Sequence, residues 1–572
     1  FRQGAATFEQ IQGWAYPARH IAAFLVPNIF GNPAHHTYVD LFTGRVMPAP
    51  PNPLVGGEPT IWWGIKNYVE GGAYVGILPL LLAVIAVLSW LHQRGQRRRR
   101  TGLVYVLHRD RYDPAPVPFF AILALVALAF AFGTPLYRLI FWLPGVNQLH
   151  SPFRWVWPYT LAVAVLAGFG VEAARRMPAE SVRRLGGLAA LTGVAVVAAV
   201  GLGRLFFDTV EPAVTRLWHG LALADQAFPD VRVFYSYEGL WVGVFGLALA
   251  ASGLIVLNLP GSSGVRRGSL ALGLLALDLL LAGAGFNPAA PPELLKFKPP
   301  VVRFLEQDRG LWRLTSYTRE DLGTSKTFNA NVGMFYGFQD VRGYDSIIPR
   351  QYAEYMALIQ PQGELLYNRI APITQPEALN SPLLDLLNVK YILSELPIDN
   401  PRLTLVYDGE VKVYRNEEAL PRAFTLPLGC AVTSADVKQA LQRYDPRHYV
   451  ILEGPERAPG ADPALCTPTA ATVTSYQPGE VWVDVALAEP GWLVLGDSFA
   501  PGWVAFVRPM GGTQDDESEA QIVRADGNFR AVRLEAGQWT VRFRYSPFPV
   551  KLGLFGSFMA GVVVVFLLGV WL

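Results

Sequence analysis

Long apolar runs separated by short polar punctuation dominate the first half of this 572-residue chain. A helix needs about 20 mainly apolar residues to cross the roughly 30 Å of bilayer hydrocarbon. Seven stretches approach that length: 75–91, 117–132, 155–171, 185–207, 239–258, 269–286 and 550–572. The second and third are short and need flanking residues to complete a span. Within 1–74 the apolar piece Ile21–Phe30 is too short to span and predicts an interfacial or re-entrant helix. A Pro-rich loop follows, and Trp62, Trp63, Tyr68 and Tyr74 after it suit headgroup depth.

From 287 to 549 the pattern changes to short alternating segments with charges throughout. Leu311–Ser316, Tyr391–Ser394, Leu403–Tyr407 and Val411–Arg415 read as strands, the last two joined through Asp408-Gly409. Helices are predicted at Pro349–Leu358, Leu383–Leu387 and Ser434–Arg443, the last capped by Ser434. Further on, Val481–Leu487, Trp492–Gly496, Ala520–Ala525, Phe529–Leu534 and Trp539–Tyr545 read as strands of a sandwich. In Trp539–Tyr545 the alternation predicts one face in a core and a basic face outward. Gly511–Glu519 is acidic and Gly-rich and reads as a mobile loop.

The expected fold is therefore an α-helical polytopic membrane bundle with an α/β module and a β-sandwich. Its parts are a loop region with an interfacial helix at 1–74, six spans in 75–286, an α/β module at 287–467, a β-sandwich at 468–549 and a last span at 550–572. Composition agrees. The chain is 51% hydrophobic and 16% charged, with mean hydropathy +0.26, against about 25% charged in soluble proteins. A net charge of +2 argues against nucleic acid as a partner. Two cysteines exclude a disulfide scaffold or a Cys-ligated cluster.

Arginine placement predicts orientation. Arg94 and Arg97–Arg100 follow the first span, Arg175, Arg176, Arg183 and Arg184 the third, and Arg266 and Arg267 the fifth. The positive-inside rule then puts 1–74 and 287–549 outside the cytoplasm. Cys430 and Cys466 both fall in the outer module, where an even pair can bridge; two buried thiols are the other reading.

No Walker loop, H-E-x-x-H, C-x-x-C or G-x-S-x-G occurs. Asp278 interrupts the sixth span; its carboxylate must face the bundle or water, for a polar substrate or for a structural bond. Arg154 at the mouth of the third span can grip a phosphate or snorkel to headgroups. Glu70 and Tyr74 stand just before the first span, where they can orient a sugar hydroxyl or simply start a helix. Arg342, Tyr344 and Asp345, in GFQDVRGYD, can bind a sugar or lock a loop. His35, His36 and Asp40 form a weak metal candidate, since adjacent histidines on an extended chain point apart.

The ordered set LVPNIFGNP (25–33), NYVEGGAYVGILPLLL (67–82), SPFRWVWPYTLAVAVLAGFGVE (151–172), LDLLLAGAGFNP (277–288), FYGFQDVRGYDSIIPRQYAEY (335–355), LLDLLNVKYIL (383–393), VKVYRNEEALPRAF (411–424), GDSFAPGWVAFV (496–507) and FRAVRLEAGQWTVRFRYSP (529–547) resembles the YfhO-type family of bacterial multi-pass membrane proteins. The resemblance implies a GT-C-like fold in the bacterial cytoplasmic membrane. It implies transfer of a sugar from a polyprenyl-phosphate carrier to an envelope glycan acceptor, with room for a divalent cation. In GT-C proteins the catalytic acid lies in the first outer loop, after the first spanning helix. No span precedes residue 75, so that acid is not expected within this sequence. The competing expectation is a noncatalytic membrane subunit presenting its outer domain to a protein complex.

Overall fold

A computed structural model describes the chain except residues 1–6, 66, 100–114, 144–145, 147–150, 261–264, 288, 320, 322–326 and 572. Arg100 of the arginine run after the first span therefore lies outside the described residues. The chain divides into two compact units, Arg2–Pro291 and Pro292–Leu572.

Among the described residues, five helices are long and apolar enough to cross a membrane: Ile77–Arg94, Pro152–Arg176, Ala179–Leu205, Val231–Leu257 and Phe548–Val570. The chain is a multi-pass membrane protein. The count falls short of seven at two places. The stretch near 117 is a helix, Val117–Ala131, that bends by 99° into Pro135–Phe141. Gly133 at φ +59° turns the backbone there, and Pro135 opens the next short helix. The sixth stretch supplies only the shorter apolar helix Gly268–Ala282.

Small residues decide how the first unit packs. Gly186 and Gly193 on Ala179–Leu205 lie against Gly253 and Gly246 on Val231–Leu257. A Cβ at Gly193 would stand 2.4 Å from Ala250 N, and one at Gly253 2.4 Å from Ala190 N. The backbones touch, which is how helices gain dispersion energy where lipid removes the hydrophobic drive.

The segment Ile21–Phe30 is not one continuous helix. Its start belongs to a 3₁₀ helix, Ala18–Phe24, whose Phe24 is buried, with Val26 and Phe30 buried after it. Tyr16, Phe132 and Tyr159 pack around Phe24, so aromatic contacts bind the segment to the helices. A hairpin, Thr37–Asp40 with Arg45–Pro48, and the two-residue strands Gly31–Asn32 and Ile61–Trp62 complete this part.

The second unit begins with a five-stranded mixed sheet. Arg313–Tyr317 runs parallel to Gln339–Asp340 and to Val389–Ser394, and Lys412–Asn416 continues antiparallel to Leu403–Tyr407. Two more sheets follow, of seven and five strands. The seven-stranded sheet takes Ala423–Pro427, Ala431–Ser434 and Val450–Glu453 as well as Gly491–Ser498, Ile522–Ala525 and Phe529–Leu534. It thus draws on both sides of residue 467. Inward Val481, Val483, Val485, Val541 and Phe543 pack with Leu493, Leu495 and Val532 into one core.

Three local expectations are corrected. The helix near 434 is Val437–Arg443, capped by Asp436, whose carboxylate accepts from Gln439 N. Ser434 is a strand residue whose hydroxyl donates to Glu456. The 511–519 segment contains a short 3₁₀ turn, Gln514–Asp516, and a strand, Ser518–Ala520, paired to Trp503–Pro509. The face of 537–545 opposite the core is not simply outward. Arg542 is buried beside Glu517 and Glu480, with its guanidinium over Trp482 and Phe506. This strand is central in its sheet, and Arg542 lies under neighbouring side chains while Arg544 on the same face stays exposed.

Candidate functional site

Asp278 interrupts the apolar helix Gly268–Ala282, and its carboxylate has partners. Its Oδ1 accepts from Tyr74 Oη at 2.6 Å, and its Oδ2 from Ile77 N at 3.0 Å. Ile77 opens the Ile77–Arg99 helix, so the carboxylate satisfies one of that helix's orphan N–H donors. Burial and the neighbouring carboxylate raise the Tyr74 phenol above its usual range, so it remains a donor. Asp278 itself is 8% exposed.

Tyr74 also lines a cavity of about 320 Å³, with His20, Phe30, Trp62, Tyr68, the Gly71-Gly72 pair, Leu279 and Phe286. Trp62 meets Tyr68 edge-on at 5.7 Å between ring centroids, and Tyr68 meets Phe286 at 5.0 Å. Tyr68 is positioned by its hydroxyl, which donates to Asn28 Oδ1 at 2.8 Å and accepts from Asn32 Nδ2 at 3.0 Å. His20 stacks on Phe30 at 4.6 Å. Burial raises the Tyr68 phenol despite the bond from Asn32. The result is a mainly apolar, aromatic-walled concavity with few polar groups, the usual form of a small-molecule site.

Of the substrate-binding candidates singled out from sequence, Tyr74 and Asp278 are joined by a hydrogen bond. Glu70 sits in the short helix Tyr68–Gly71, which borders the cavity, but its side chain is exposed and does not line it. Its carbonyl accepts from Tyr16 Oη at 2.6 Å. Arg154 is exposed on the 3₁₀ turn Pro152–Trp155, outside the lining. Arg342 is buried and held by Asp340 and the Phe328 carbonyl, so it fastens a loop. Tyr344 is exposed, with its backbone paired to the Asn331 amide. Asp345 accepts from Ile347 N at 2.9 Å.

His35, His36 and Asp40 have separate partners. His35 Nδ1 contacts Tyr237 Oη at 2.7 Å, and its ring stacks on Trp241. His36 Nδ1 meets the Pro59 carbonyl, while Asp40 binds the Phe42 amide and Thr43 hydroxyl. Among the described residues no group of three or more His, Cys, Asp or Glu is arranged to hold a metal. Cys430 and Cys466 form a disulfide across a sequence separation of 36 residues.

A second, polar cleft of about 280 Å³ lies in the other unit, lined by Glu306, Asp308, Arg309, Trp312 and the 337–339 backbone segment. Asp308 accepts from Lys390, Tyr391 Oη and Gly310 N. Burial opposes its charge, but those donors outweigh burial and hold its carboxyl below the usual range.

Sequence reasoning placed Trp62 and Tyr68 at headgroup depth and passed over His20 and Phe286. The cavity depends on folding 18–31 against 62–74 and 279–286, a long-range closure that no local pattern marks. The one signal was density: aromatic and glycine residues recur across 62–76.

No family model and no curated protein matches the chain. Among solved structures, the cryo-EM structure of arabinofuranosyltransferase AftD from Mycobacteria is similar at 14% identity with a TM-score of 0.21. The match covers 83% of this chain and 47% of that one, so the chain spans about half the length of that protein.

Proposed function

We propose that this chain is part of a GT-C-type membrane glycosyltransferase that moves a sugar from a polyprenyl-phosphate carrier to an envelope glycan. The observation that carries the reading is the aromatic cavity beside Tyr74, at the start of the Ile77–Arg99 span. Ring faces such as those of Trp62, Tyr68 and Phe286 suit the C–H faces of a sugar, and tyrosine hydroxyls suit its polar edges. The bacterial motif set read from the sequence supports the same class. The Cys430–Cys466 disulfide supports a module outside the cytoplasm, since such bonds persist in oxidising compartments.

In this reaction an acceptor hydroxyl oxygen bonds to the anomeric carbon as the bond from that carbon to the phosphate oxygen breaks. The electron pair leaves with the polyprenyl phosphate, and the hydroxyl proton passes to a base. In this reading Arg154 grips the carrier phosphate and Glu70 orients a sugar hydroxyl. Asp278 takes a positioning role in this reading, since its oxygens accept from Tyr74 and from Ile77 N.

A second reading, favoured by a cavity lining without Asp or Glu, is a noncatalytic subunit that holds a lipid-linked sugar for a partner. The test is the purified chain in nanodiscs with a radiolabelled polyprenyl-phosphate sugar. Transfer to an envelope glycan that falls at least tenfold in Trp62→Ala supports the enzyme. Retention of the donor without transfer, lost in Trp62→Ala, supports the subunit. Neither transfer nor retention ends both readings.

A further inference from the structure

Three arginines from distant parts of the second unit converge on one carboxylate. Asp497 lies in the Gly491–Ser498 strand, where the pairing with Phe529–Leu534 slips between Leu495 and Ser498. Its Oδ1 is 2.7 Å from Arg313 Nη2 and 3.2 Å from Arg422 Nη1, and its Oδ2 is 3.2 Å from Arg530 Nη2. Tyr476 Oη, from the facing sheet, donates to the same Oδ1 at 3.0 Å. The side chains of Arg422, Arg530 and Asp497 are 2%, 3% and 9% exposed. Arg313 is 15% exposed, and this is the open side of the cluster.

The charges do not balance. Three guanidiniums face one carboxylate, leaving two positive charges in excess, and an arginine does not shed its proton in a protein. Burial and repulsion from Arg313 pull the Arg422 guanidinium down to about 10, as expected of a cation short of counter-charge. Hydrogen bonds are also left over. Among the described residues, Arg422 Nη2 and Arg530 Nη1 have no acceptor. Nearby in sequence, both amide atoms of the fully buried Asn528 are likewise without partners. Other demands are met: Arg313 Nη1 donates to the Leu387 and Gly496 carbonyls, and the Arg530 guanidinium lies 3.9 Å from the Trp503 ring centroid. Buried polar atoms of this kind commonly mark a bound water or ion. Water would satisfy the hydrogen bonds but not the charge, whereas an anion satisfies both.

We propose that the Arg313–Arg422–Arg530 cluster beside Asp497 binds a small inorganic anion of chloride size, with Arg422 Nη2 and Arg530 Nη1 as its donors. The near-complete burial of both guanidiniums excludes a bulky guest. At the same cluster Arg313, bound to Asp497 and the Gly496 carbonyl, ties the mixed sheet to the seven-stranded sheet that carries Asp497 and Arg530. The site is independent of the sugar cavity.

The experiment is thermal unfolding of the full chain in nanodiscs, titrated with sodium chloride or bromide at ionic strength held constant with gluconate. The midpoint should rise saturably, by an amount on the order of 2–4 °C, and the rise should vanish in Arg530→Gln. Bromide-soaked crystals of the unaltered chain should give an anomalous peak in contact with Arg422 and Arg530, which decides the matter even if the variant fails to fold. A halide-independent midpoint, an equal rise in the variant, or water alone at that position overturns the proposal.

Discussion

Tyr74 donates its phenol hydrogen to Asp278 at 2.6 Å, joining residues 204 positions apart. The same carboxylate receives Ile77 N, so it fixes both the wall of the cavity and the entry to a spanning helix. Tyr74→Phe removes one donor and leaves a buried lone pair unmet. The expected cost is about 1–3 kcal/mol. Asp278→Asn retains an acceptor but weakens both bonds. If the contact is direct, the two variants combined should cost less than the sum of their separate effects, with a coupling of about 0.5–3 kcal/mol. Reversible unfolding in detergent measures this, and additive losses would show the pair to be incidental.

Asp526 gives the second prediction a sign. It is fully buried, accepts from Ile451 N at 2.8 Å, and sits at φ +50°. Burial pushes its carboxyl from 3.8 up to about 7, while the Ile451 amide opposes the shift. The folded state therefore holds a proton that the unfolded state releases between about pH 4 and 7. Stability contributed by this group is present below pH 4 and is lost as pH rises to 7, by roughly 4 kcal/mol in total. Asp526→Asn keeps the acceptor and tolerates the left-handed backbone. It should flatten that part of the pH profile and raise stability at pH 8. Chemical denaturation across pH 4–8 decides it; a variant with an unchanged slope would assign the slope elsewhere.

The spans were legible because a bilayer demands a single signal, a sustained apolar run, and Val231–Leu257 carries it plainly. The short strands were legible through alternation, as at Val481, Val483 and Val485. What escaped was pairing across distance. Nothing near Arg542 announces Glu517, whose carboxylate closes on it from a segment read as a free loop. Asp278 was conspicuous as a charge in an apolar run, but its donors lie 204 and 201 residues away. The aromatic cavity was divided among three segments, and nothing local in 62–74 showed that 18–31 and 279–286 would close on it.

Orientation is the third prediction. The arginine distribution predicts residue 94 in the cytoplasm and the 287–549 module outside. Arg342 is too buried to report this, whereas Tyr344 is 54% exposed and Arg94 is exposed. The native cysteines are paired to each other, so an introduced thiol supplies the signal. Tyr344→Cys should react with a membrane-impermeant maleimide in intact cells, and Arg94→Cys only after lysis. Matching reactivity at the two sites would overturn the assigned topology.

The glycines between Ala179–Leu205 and Val231–Leu257 carry the last prediction. At Gly193 an added Cβ would meet Ala250 N at 2.4 Å and the Gly246 carbonyl at 2.5 Å, both backbone atoms that cannot swing aside. Gly193→Ala must therefore push the helices apart along their length, at about 1–3 kcal/mol. Gly201, on the same helix with no neighbour within 4 Å of its Cβ position, is the control. Gly201→Ala should be neutral or slightly stabilising, because alanine favours the helical backbone that glycine resists. Thermal inactivation of the two variants, read by retention of monodisperse protein in detergent, should separate them by several degrees. Equal behaviour would mean the helices are not held by backbone contact, and the side chains beside the glycines would have to account for their association.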